Sequence, residues 1–441
     1  MFEKPENWKD LTPREKLTKR LDYFCEGKDI QFVSSEAEAA YKERATLIRD
    51  ALELKKEPAR VPVFVSESGY AIKRAGFTAR DSMYEPEKLI ESLIAFQKEF
   101  PSDMAFVMLG GGGRALEHLD YKLYKWAGHG LPDTQGYQAV EGEYVTKDEY
   151  AKLIADPSGF FMHTYLPRVF GQLGALRMLP LLPMIQELPF VPSALVPFAM
   201  PDLQAALNKI IEAANLMMKD LMSAGALAGQ VVANGFPSLF GGFSKAPFDA
   251  IGDTLRGTRG IMTDMYRCPD LVLEACERFV PLMIEGGIAA AEAMGGIVVL
   301  MVLHKGADGF MSKDQFEKFY WPTLKRVLLG IAEEGLLPWC FAEGSYNSRL
   351  ETISEFPTGM AAWYFDKTDM HRAKDILKDK ACILGNVPTS LMAAGTPEQV
   401  SAYCKDLVQY CGKGGGFILT NGAGVDMTTD ENIRAMLDSV K

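Results

Sequence analysis

One order of features repeats through the second half of the sequence: a short apolar run, a polar or glycine-rich tip, and a segment with helical periodicity. Short apolar runs between turn residues predict strands, and helical segments of ten or more residues between them predict parallel pairing with right-handed crossovers. Two earlier runs bring the count to eight, which predicts an α/β fold of the (β/α)8 TIM barrel type. The predicted strands are residues 61–66, 104–109, 238–243, 297–303, 336–342, 360–365, 381–384 and 416–420.

The periodic segments also predict how the chain is divided. Residues 6–58 are charged and helix-periodic, so residues 1–58 are predicted to form a helical N-terminal extension. Residues 59–441 are predicted to form the barrel, with an insertion around residues 110–200. Further helices are predicted at residues 85–100, 203–221, 269–293, 313–334, 345–355, 369–377, 397–411 and 430–440.

The insertion has no clean periodicity. Residues 120–150 are aromatic and acidic and are predicted to be an inserted loop that could act as a lid, while residues 173–200 carry five prolines and are predicted to be a buried or cleft-lining loop. The glycines at 110–113 are compatible with a phosphate-binding loop or with a plain turn. The Met-rich segment at 203–221 is compatible with a pocket wall or with ordinary core.

Composition excludes some classes of function. A net charge of -11 without a dense Lys/Arg tract argues against a nucleic-acid surface. The seven cysteines form no CxxC pair, which favours free thiols and a reducing compartment. The sequence shows no secretion signal and no uninterrupted apolar span, so we expect a cytoplasmic protein.

Polar residues follow most of the predicted strands. In a barrel the carboxyl ends of all strands meet at one mouth, so these residues are expected to converge there. Glu343 and His304 are the strongest catalytic candidates, although Glu343 could instead pair with Lys305, Lys367 or Arg349, and His304 could simply cap its strand. The full predicted set is Ser66, Ser244, His304, Lys305, Asp308, Glu343, Asp366, Asn386 and Asn421.

The last third of the chain resembles a known family. The runs Gly385-Asn386-Val387-Pro388, Gly395-Thr396-Pro397-Glu398 and Gly414-Gly415-Gly416-Phe417-Ile418 carry the resemblance, together with Glu431 to Met436, Asp308 to Ser312 and Phe319 to Pro322. They are similar to the C-terminal part of the uroporphyrinogen decarboxylase superfamily, which also contains cobalamin-dependent methyltransferases acting on methanol, methylamines and aryl methyl ethers. The resemblance implies a TIM barrel and one of these activities.

The chain departs from that family at the zinc site. The corrinoid-linked methyltransferases hold zinc with a His-x-Cys pair and a later Cys, and the corresponding positions here are Phe341, Glu343 and Ala423. Activation of a thiol substrate is therefore not expected. Two alternatives are left open: a harder zinc site formed by Glu343, His304 and Asp366, or Glu343 acting without metal as a buried general acid.

The resemblance and the residues together predict a methyltransferase that moves a methyl group from a small methylated donor, such as an aryl methyl ether, to the Co(I) of a separate corrinoid protein. The corrinoid partner is implied because this chain has no Asp-x-His-x-x-Gly corrinoid motif. A homodimer is left open. The predicted substrate-binding residues are Phe310, Tyr346, Trp363, Asn386 and Asn421.

Two other functions are kept as alternatives. A decarboxylase or lyase acting on a small carboxylic acid or a tetrapyrrole would bind the substrate carboxylate through Lys305, Arg349 or Lys367. The polycarboxylate uroporphyrinogen itself is disfavoured, because the expected N-terminal arginine cluster is missing. The other alternative is a protein that binds a corrinoid or a tetrapyrrole without catalysing a reaction.

Overall fold

The computed structural model describes residues 2–67, 69–105, 111–181 and 187–441. Its main sheet has six parallel strands in sequential order. Each strand pairs in parallel with the next, so their carboxyl ends all lie at one edge. The strands are β4 (Phe240–Ser244), β5 (Val298–Leu303), β6 (Leu337–Ala342), β7 (Ala362–Phe365), β8 (Cys382–Val387) and β9 (Phe417–Asn421).

Two extended segments close this sheet into a barrel. Residues 62–64 exchange backbone hydrogen bonds with Leu419 of β9, at 2.9 and 3.1 Å, and Val63 accepts the amide of Asp103 at 2.8 Å. Ala105 then donates to the carbonyl of Pro237, just before β4, at 2.9 Å. In the described part of the chain, the six strands and these two segments together complete the TIM barrel that the sequence predicts.

Helices surround the barrel and close the end at which its strands begin. Before β4 the structure has α1 (Pro13–Glu26), α2 (Ser35–Glu53), α3 (Tyr70–Arg74), α4 (Ala79–Tyr84), α5 (Pro86–Glu99), α6 (Gly113–His118), α7 (Tyr150–Ala155), α8 (Pro157–Phe160), α9 (Leu166–Val169) and α10 (Pro201–Ala233). After β4 it has α11 (Pro247–Thr254), α12 (Gly257–Arg267), α13 (Pro269–Met294), α14 (Lys313–Gln315), α15 (Trp321–Glu333), α16 (Leu350–Ile353), α17 (Met370–Leu377), α18 (Thr389–Ala394), α19 (Pro397–Cys411) and α20 (Asp430–Asp438).

The hydrophobic core has two main layers. The barrel interior, with Trp339 and Tyr364 among its residues, is continuous with apolar residues of α1 and α2. α1 lies under the amino end of β6, where Lys16 and Arg20 donate to the carbonyls of Glu333 and Glu334. A second layer lies between the strands and the outer helices. The chain thus seals the amino end of the barrel and leaves the carboxyl end as the place for a site.

The predicted elements of the C-terminal half match the structure closely. α19 has the predicted bounds, and α13, α17 and α20 differ from prediction by one or two residues at an end. The predicted helix at 345–355 is wrong in part, because only a 3-10 turn at Asn347–Arg349 and the short α16 form there. The division into an extension at 1–58 and a barrel at 59–441 stays a prediction.

The insertion differs from what its sequence predicts. Residues 120–150 include a small sheet formed by β1 (Tyr124–Ala127), β2 (Gly130–Leu131) and β3 (Tyr137–Ala139), where a loop was expected. Residues 173–200 contain 3-10 turns at Gly171–Met178 and Val191–Ala199, and Leu188 and Leu195 are exposed rather than buried. α10 extends to Ala233, beyond the predicted end at 221. The second half of the predicted strand at 104–109 and the first glycine of the 110–113 run lie outside the described residues.

All seven cysteines are free thiols in the structure. Of the helices in the described part of the chain, none is both long and apolar enough to cross a membrane.

Candidate active site at the barrel mouth

Two of the predicted catalytic residues come together at the mouth. Side chains alternate along a strand, and Leu300 of β5 and Phe341 of β6 belong to the barrel interior. His304 and Glu343 lie an even number of residues further on, so both side chains are directed to the same face. His304 Nε2 lies 3.4 Å from Glu343 Oε2.

His304 is held from its other side by a carboxylate. Its Nδ1 lies 2.7 Å from Oδ2 of Asp253, near the end of α11. Asp253 also accepts hydrogen bonds from the ammonium groups of Lys245 and Lys305. The imidazole is thus fixed in orientation with Nδ1 bound to carboxylate and Nε2 left to face Glu343 and the mouth. We call Asp253, His304, Glu343, Lys245 and Lys305 the mouth cluster.

A second carboxylate, fully buried, supports this cluster from below. Asp249, also on α11, accepts the backbone amides of His304 at 3.0 Å and Lys305 at 2.8 Å. The hydroxyl of Tyr320 donates to the same carboxylate. Asp249 therefore positions the chain segment that carries His304 and Lys305.

The charges of the mouth cluster raise the pKa of His304 and lower the pKa of Asp253. Burial alone would lower the pKa of His304, but the hydrogen bond to Asp253 and the charge of that carboxylate outweigh it and raise the pKa. Burial would raise the pKa of Asp253, but His304 and the two lysines hold it well below its usual range. The arrangement therefore favours an imidazolium paired with a carboxylate.

Glu343 does not have the burial that the predicted general-acid role required. Its side chain is 52 % exposed, against 36 % for His304 and 12 % for Asp253. Two of the predicted alternative partners are bonded elsewhere: Arg349 is buried and bonded to the carbonyls of Gly306 and Met311, and Lys305 pairs with Asp253. Glu343 pairs with His304 instead.

The residues predicted to bind zinc do not fit a metal site. The bond from His304 Nδ1 to Asp253 would be compatible with a metal ligand at Nε2. Oδ2 of Asp366, however, accepts the amide of Gly344 at 3.0 Å. Throughout the parts of the chain that the structure describes, no three His, Cys, Asp or Glu side chains are placed to hold a metal ion. The trio Glu343, His304 and Asp366 is therefore not arranged as a zinc site, and we derive no step through zinc.

The predicted substrate-binding residues are mostly structural. Trp363 is buried on the outside of β7, with its ring 6.4 Å from that of Trp321, and Tyr346 is fully buried in the same outer layer. These two placements correct the prediction that they form walls at the mouth. Phe310 is half-buried, with the ammonium of Lys305 5.4 Å from its ring centroid.

Both predicted asparagines are buried and bonded to backbone. Asn386 Nδ2 donates to the carbonyl of Thr368 at 2.7 Å. Asn421 bonds both the amide and the carbonyl of Ser66 at 2.9 Å, which ties β9 to the segment at 61–66. Hydrogen bonding of a substrate by these two side chains stays a prediction, and their observed contacts are structural.

The sequence reasoning missed the two carboxylates of α11. Asp249 and Asp253 are four residues apart, so they lie on one face of the helix that follows β4. Two acidic residues at this spacing, directly after a predicted strand, could have been identified as site candidates from the sequence. Glu67, at the end of the 61–66 segment, was also missed. Burial, together with the charge of Asp426, raises its pKa to about 7.

Comparisons with known proteins agree with this fold. A family model described as uroporphyrinogen decarboxylase (URO-D) matches residues 238–441, the segment that contains the mouth cluster. This segment is similar to the uroporphyrinogen decarboxylase family, in agreement with the sequence resemblance.

Individual relatives are distant. Uroporphyrinogen decarboxylases from two strains of Coxiella burnetii, Dugway 5J108-111 and RSA 493 / Nine Mile phase I, are 22% identical over 182 residues. The match covers 40% of this chain and 49% of theirs, so the chain spans about half the length of these relatives. A solved methyltransferase from Methanosarcina mazei shares the fold with a TM-score of 0.60 at 14% identity, over 91% of this chain and 97% of that one.

Proposed function

We propose that this protein is a methyltransferase that takes a methyl group from a small methylated donor, such as an aryl methyl ether, and delivers it to the Co(I) of a separate corrinoid protein. The family-model match over residues 238–441 and the fold shared with a methyltransferase support an enzyme of this superfamily, a methyltransferase or a decarboxylase. The mouth cluster favours the first of these.

The Asp253–His304 pair carries the proposal. The imidazole is oriented by Asp253, its protonated form is favoured, and its Nε2 lies at the mouth, 3.4 Å from Glu343. A group of this kind is a general acid for a leaving oxygen or nitrogen, and such proton donation contributes roughly 10²–10⁴-fold in rate. We therefore assign the acid role to His304, with Glu343 opposite it as a second candidate for substrate contact.

The step balances as a heterolytic methyl transfer. The bond between the methyl carbon and the donor oxygen breaks, and the electron pair stays on the oxygen. That oxygen takes the proton from His304 Nε2 and leaves as an alcohol or phenol. The corrinoid of the partner protein supplies the two-electron nucleophile that accepts the methyl group.

The test combines the purified protein with a reduced corrinoid carrier and a panel of methoxylated aromatics, and follows the loss of Co(I) absorbance. We expect one or more donors to be demethylated, and His304→Gln to lower kcat/KM by roughly 10²-fold or more. His371→Gln is the matched control, because His371 pairs with Asp406 at an exposed position on α17. Persistent Co(I) across the panel with wild-type protein, or an unaffected His304→Gln, counts against the proposal.

Decarboxylation of a small acid is the second candidate, since the curated relatives are decarboxylases. Two of the three residues predicted to bind the substrate carboxylate already have partners. Arg349 is buried among backbone carbonyls, and Lys305 pairs with Asp253. Release of CO2 from a small carboxylic acid, with no corrinoid requirement, would favour this candidate over methyl transfer. The cytoplasmic location and the identity of the donor stay predictions.

A further inference from the structure

An accessible phenylalanine lies inside the barrel, on the strand that leads to the mouth cluster. Phe243 of β4 is 52% exposed. It pairs in register with Leu300 of β5, which packs against the barrel interior. Residues paired across neighbouring strands point to the same face of a sheet, so the Phe243 ring is also directed into the barrel. An apolar ring inside the barrel is therefore left open to solvent.

A β-bulge turns this ring inward. The pairing of β4 with β5 shifts by one residue between Phe240 and Gly242. Phe240 packs against the barrel interior, so strict alternation would have placed Phe243 on the outside. After the bulge Ser244 faces outward instead, and its hydroxyl donates to the carbonyl of Met283 in α13 at 2.8 Å. Bulges beside active sites re-aim a side chain in this way.

The side chains on the two neighbouring strands continue an apolar surface from Phe243. Leu300 and Val302 of β5 and Phe341 of β6 are half-buried rather than sealed in the core. Val302 and Phe341 pair in register, and Phe341 packs against the barrel interior, so both face inward. We call Phe243, Leu300, Val302 and Phe341 the inner wall.

The inner wall ends at the mouth cluster. His304 follows Leu300 by four residues on the same face of β5, which is roughly 13 Å along the strand. Lys245 follows Phe243 by two residues, and its ammonium is bonded to Asp253. Small-molecule sites combine apolar walls with a few polar groups that fix the orientation of the ligand. The inner wall and the mouth cluster have that arrangement, with an apolar interior below a polar rim.

Chemistry and reach decide what the inner wall can hold. The face or edge of the Phe243 ring attracts another aromatic ring more strongly than buried area alone would. A charged group placed against these aliphatic and aromatic side chains would lose its hydration without gaining a partner. A donor of the size of methanol or methylamine is too short to touch Phe243 and reach His304 together. A flat aromatic ring whose methylated oxygen points to the rim can do both.

We propose that Phe243 is a specificity-determining residue, and that the inner wall holds the aromatic ring of an aryl methyl ether with its oxygen directed to His304. This inference rests on the proposed methyl transfer and adds the residue that selects ring-bearing donors over methanol and methylamines. The wall contacts the ring equally before and during the transfer, so it should affect KM rather than kcat. Binding of the ring needs no corrinoid, so it can be measured separately.

The test titrates the full chain with methoxybenzene and with methoxycyclohexane, and follows binding by NMR of the ligand signals. The two probes have the same connectivity and differ in the aromaticity of the ring. We expect methoxybenzene to bind more tightly, and Phe243→Ala to weaken its binding at least about tenfold. Phe243→Leu keeps an apolar side chain and should weaken it by about two- to tenfold. Phe190→Ala, at a 55% exposed site in the insertion, is the control and should bind as wild type does.

Thermal unfolding checks that the variants fold, and Phe243→Leu keeps the test decisive if Phe243→Ala does not. The inference is overturned by a wild type that does not bind methoxybenzene saturably, or that binds methoxycyclohexane as tightly. Methoxybenzene binding that is equal in wild type and the Phe243 variants overturns it as well.

Kinetics with the reduced corrinoid carrier separate this inference from the proposed function. Phe243→Ala should raise KM for methoxybenzene at least about tenfold while kcat changes little. Demethylation with an unchanged KM in Phe243→Ala would overturn the role of Phe243 alone. Ring binding that depends on Phe243, in a protein that transfers no methyl group, would overturn methyl transfer and support the inner wall as an aromatic site.

Discussion

Each group that faces His304 affects its protonation. Asp253 and Asp249 favour the imidazolium, Lys245 opposes it, and Glu343 lies 3.4 Å from Nε2. Because the net effect raises the pKa of His304 above its usual 6.5, the protonated acid persists to higher pH and is lost as pH rises through the folded-state value. The rate of a reaction that needs this acid should fall on the alkaline side.

The first prediction concerns that alkaline limb. Asp253→Asn removes the charge that raises the pKa of His304, so the fall in kcat/KM should move to lower pH. The measurement is a pH profile of kcat/KM for the wild type and the variant. His371→Gln should leave the limb in place, and an Asp253→Asn profile that overlays the wild type would contradict the assignment of His304 as the acid.

The second prediction concerns the buried carboxylate of Asp249. Burial and the nearby charge of Asp253 raise its pKa, and it is stabilised by three donors. Tyr320→Phe removes one of them inside the core and should cost about 1–3 kcal/mol in the free energy of unfolding. Urea denaturation measures the loss.

Tyr410→Phe is the control for Tyr320→Phe. The Tyr410 hydroxyl donates to Asp375 at 2.9 Å on an exposed surface, so losing it should change stability by less than about 0.5 kcal/mol. Equal losses in Tyr320→Phe and Tyr410→Phe would show that Asp249 does not depend on the tyrosine.

At the residue scale the sequence identifies positions better than roles. Glu343 and His304 were found because they follow predicted strands, and the structure places them 3.4 Å apart. Their exposure depends on the neighbouring loops, which no local pattern encodes, so the burial assumed for Glu343 was wrong. The spacing of Asp249 and Asp253 could have marked Asp253 as a candidate, but its role depends on a partner 51 residues away in the chain.

At the scale of elements, the contact between β4 and α13 positions one side of the site. Gly242 of β4 approaches the helix so closely that a Cβ there would lie 2.7 Å from the carbonyl oxygen of Gly287. Lys245 follows this strand directly and reaches Asp253. The strand can lie this close to the helix only because Gly242 has no side chain.

The third prediction tests this contact. Gly242→Ala must push the strand from α13 and should cost about 1–3 kcal/mol in the free energy of unfolding. Gly286→Ala is the matched control in α13, since no atom of the described residues lies within 4 Å of its Cβ position, and it should stabilise by about 0.5–1 kcal/mol. Thermal or urea unfolding measures both, and the same sign for the two variants would contradict the packing described.

Elements were predictable wherever periodicity was strong and caps were present. α19 begins after Thr396, whose side chain accepts the amide of Gln399 in a capping box, and its predicted bounds were correct. α11 and α12 were not predicted, because several buried polar residues interrupt their apolar pattern. Asp249 and Asp264 are examples, and each is satisfied by tertiary partners: Tyr320 for the first and Arg256 for the second.

At the scale of the whole molecule, an ion pair between buried Asp103 and half-buried Arg60 contributes to closing the barrel. Asp103 is 2% exposed, accepts both terminal nitrogens of Arg60 at 2.6 Å, and also accepts the amide of Val63 at 2.8 Å. In return the amide of Asp103 donates to the carbonyl of Val63. The two segments that complete the cylinder are thus joined by side chain and backbone together.

Sequence periodicity predicted that these segments would be strands, yet it did not show what joins them. In the structure the segment at 61–66 has isolated bridges to the region of β9 rather than a long ladder. Side-chain bonds from Asp103 and Asn421 compensate for the short pairing. Such bonds link residues far apart in the chain, so no local pattern predicts them.

The last prediction follows from that closure. Asp103→Ala leaves the half-exposed Arg60 guanidinium and the buried Val63 amide without their acceptor and should cost about 1–3 kcal/mol in the free energy of unfolding. Asp103→Asn keeps an acceptor for Val63 and should lose less, while Glu99→Ala, which breaks exposed pairs with Arg74 and Arg434, should cost under about 1 kcal/mol. Because an open sheet edge exposes unpaired backbone, Asp103→Ala should also aggregate during urea unfolding when Glu99→Ala does not. Equal stability of Asp103→Ala and Glu99→Ala would mean that backbone pairing alone closes the barrel.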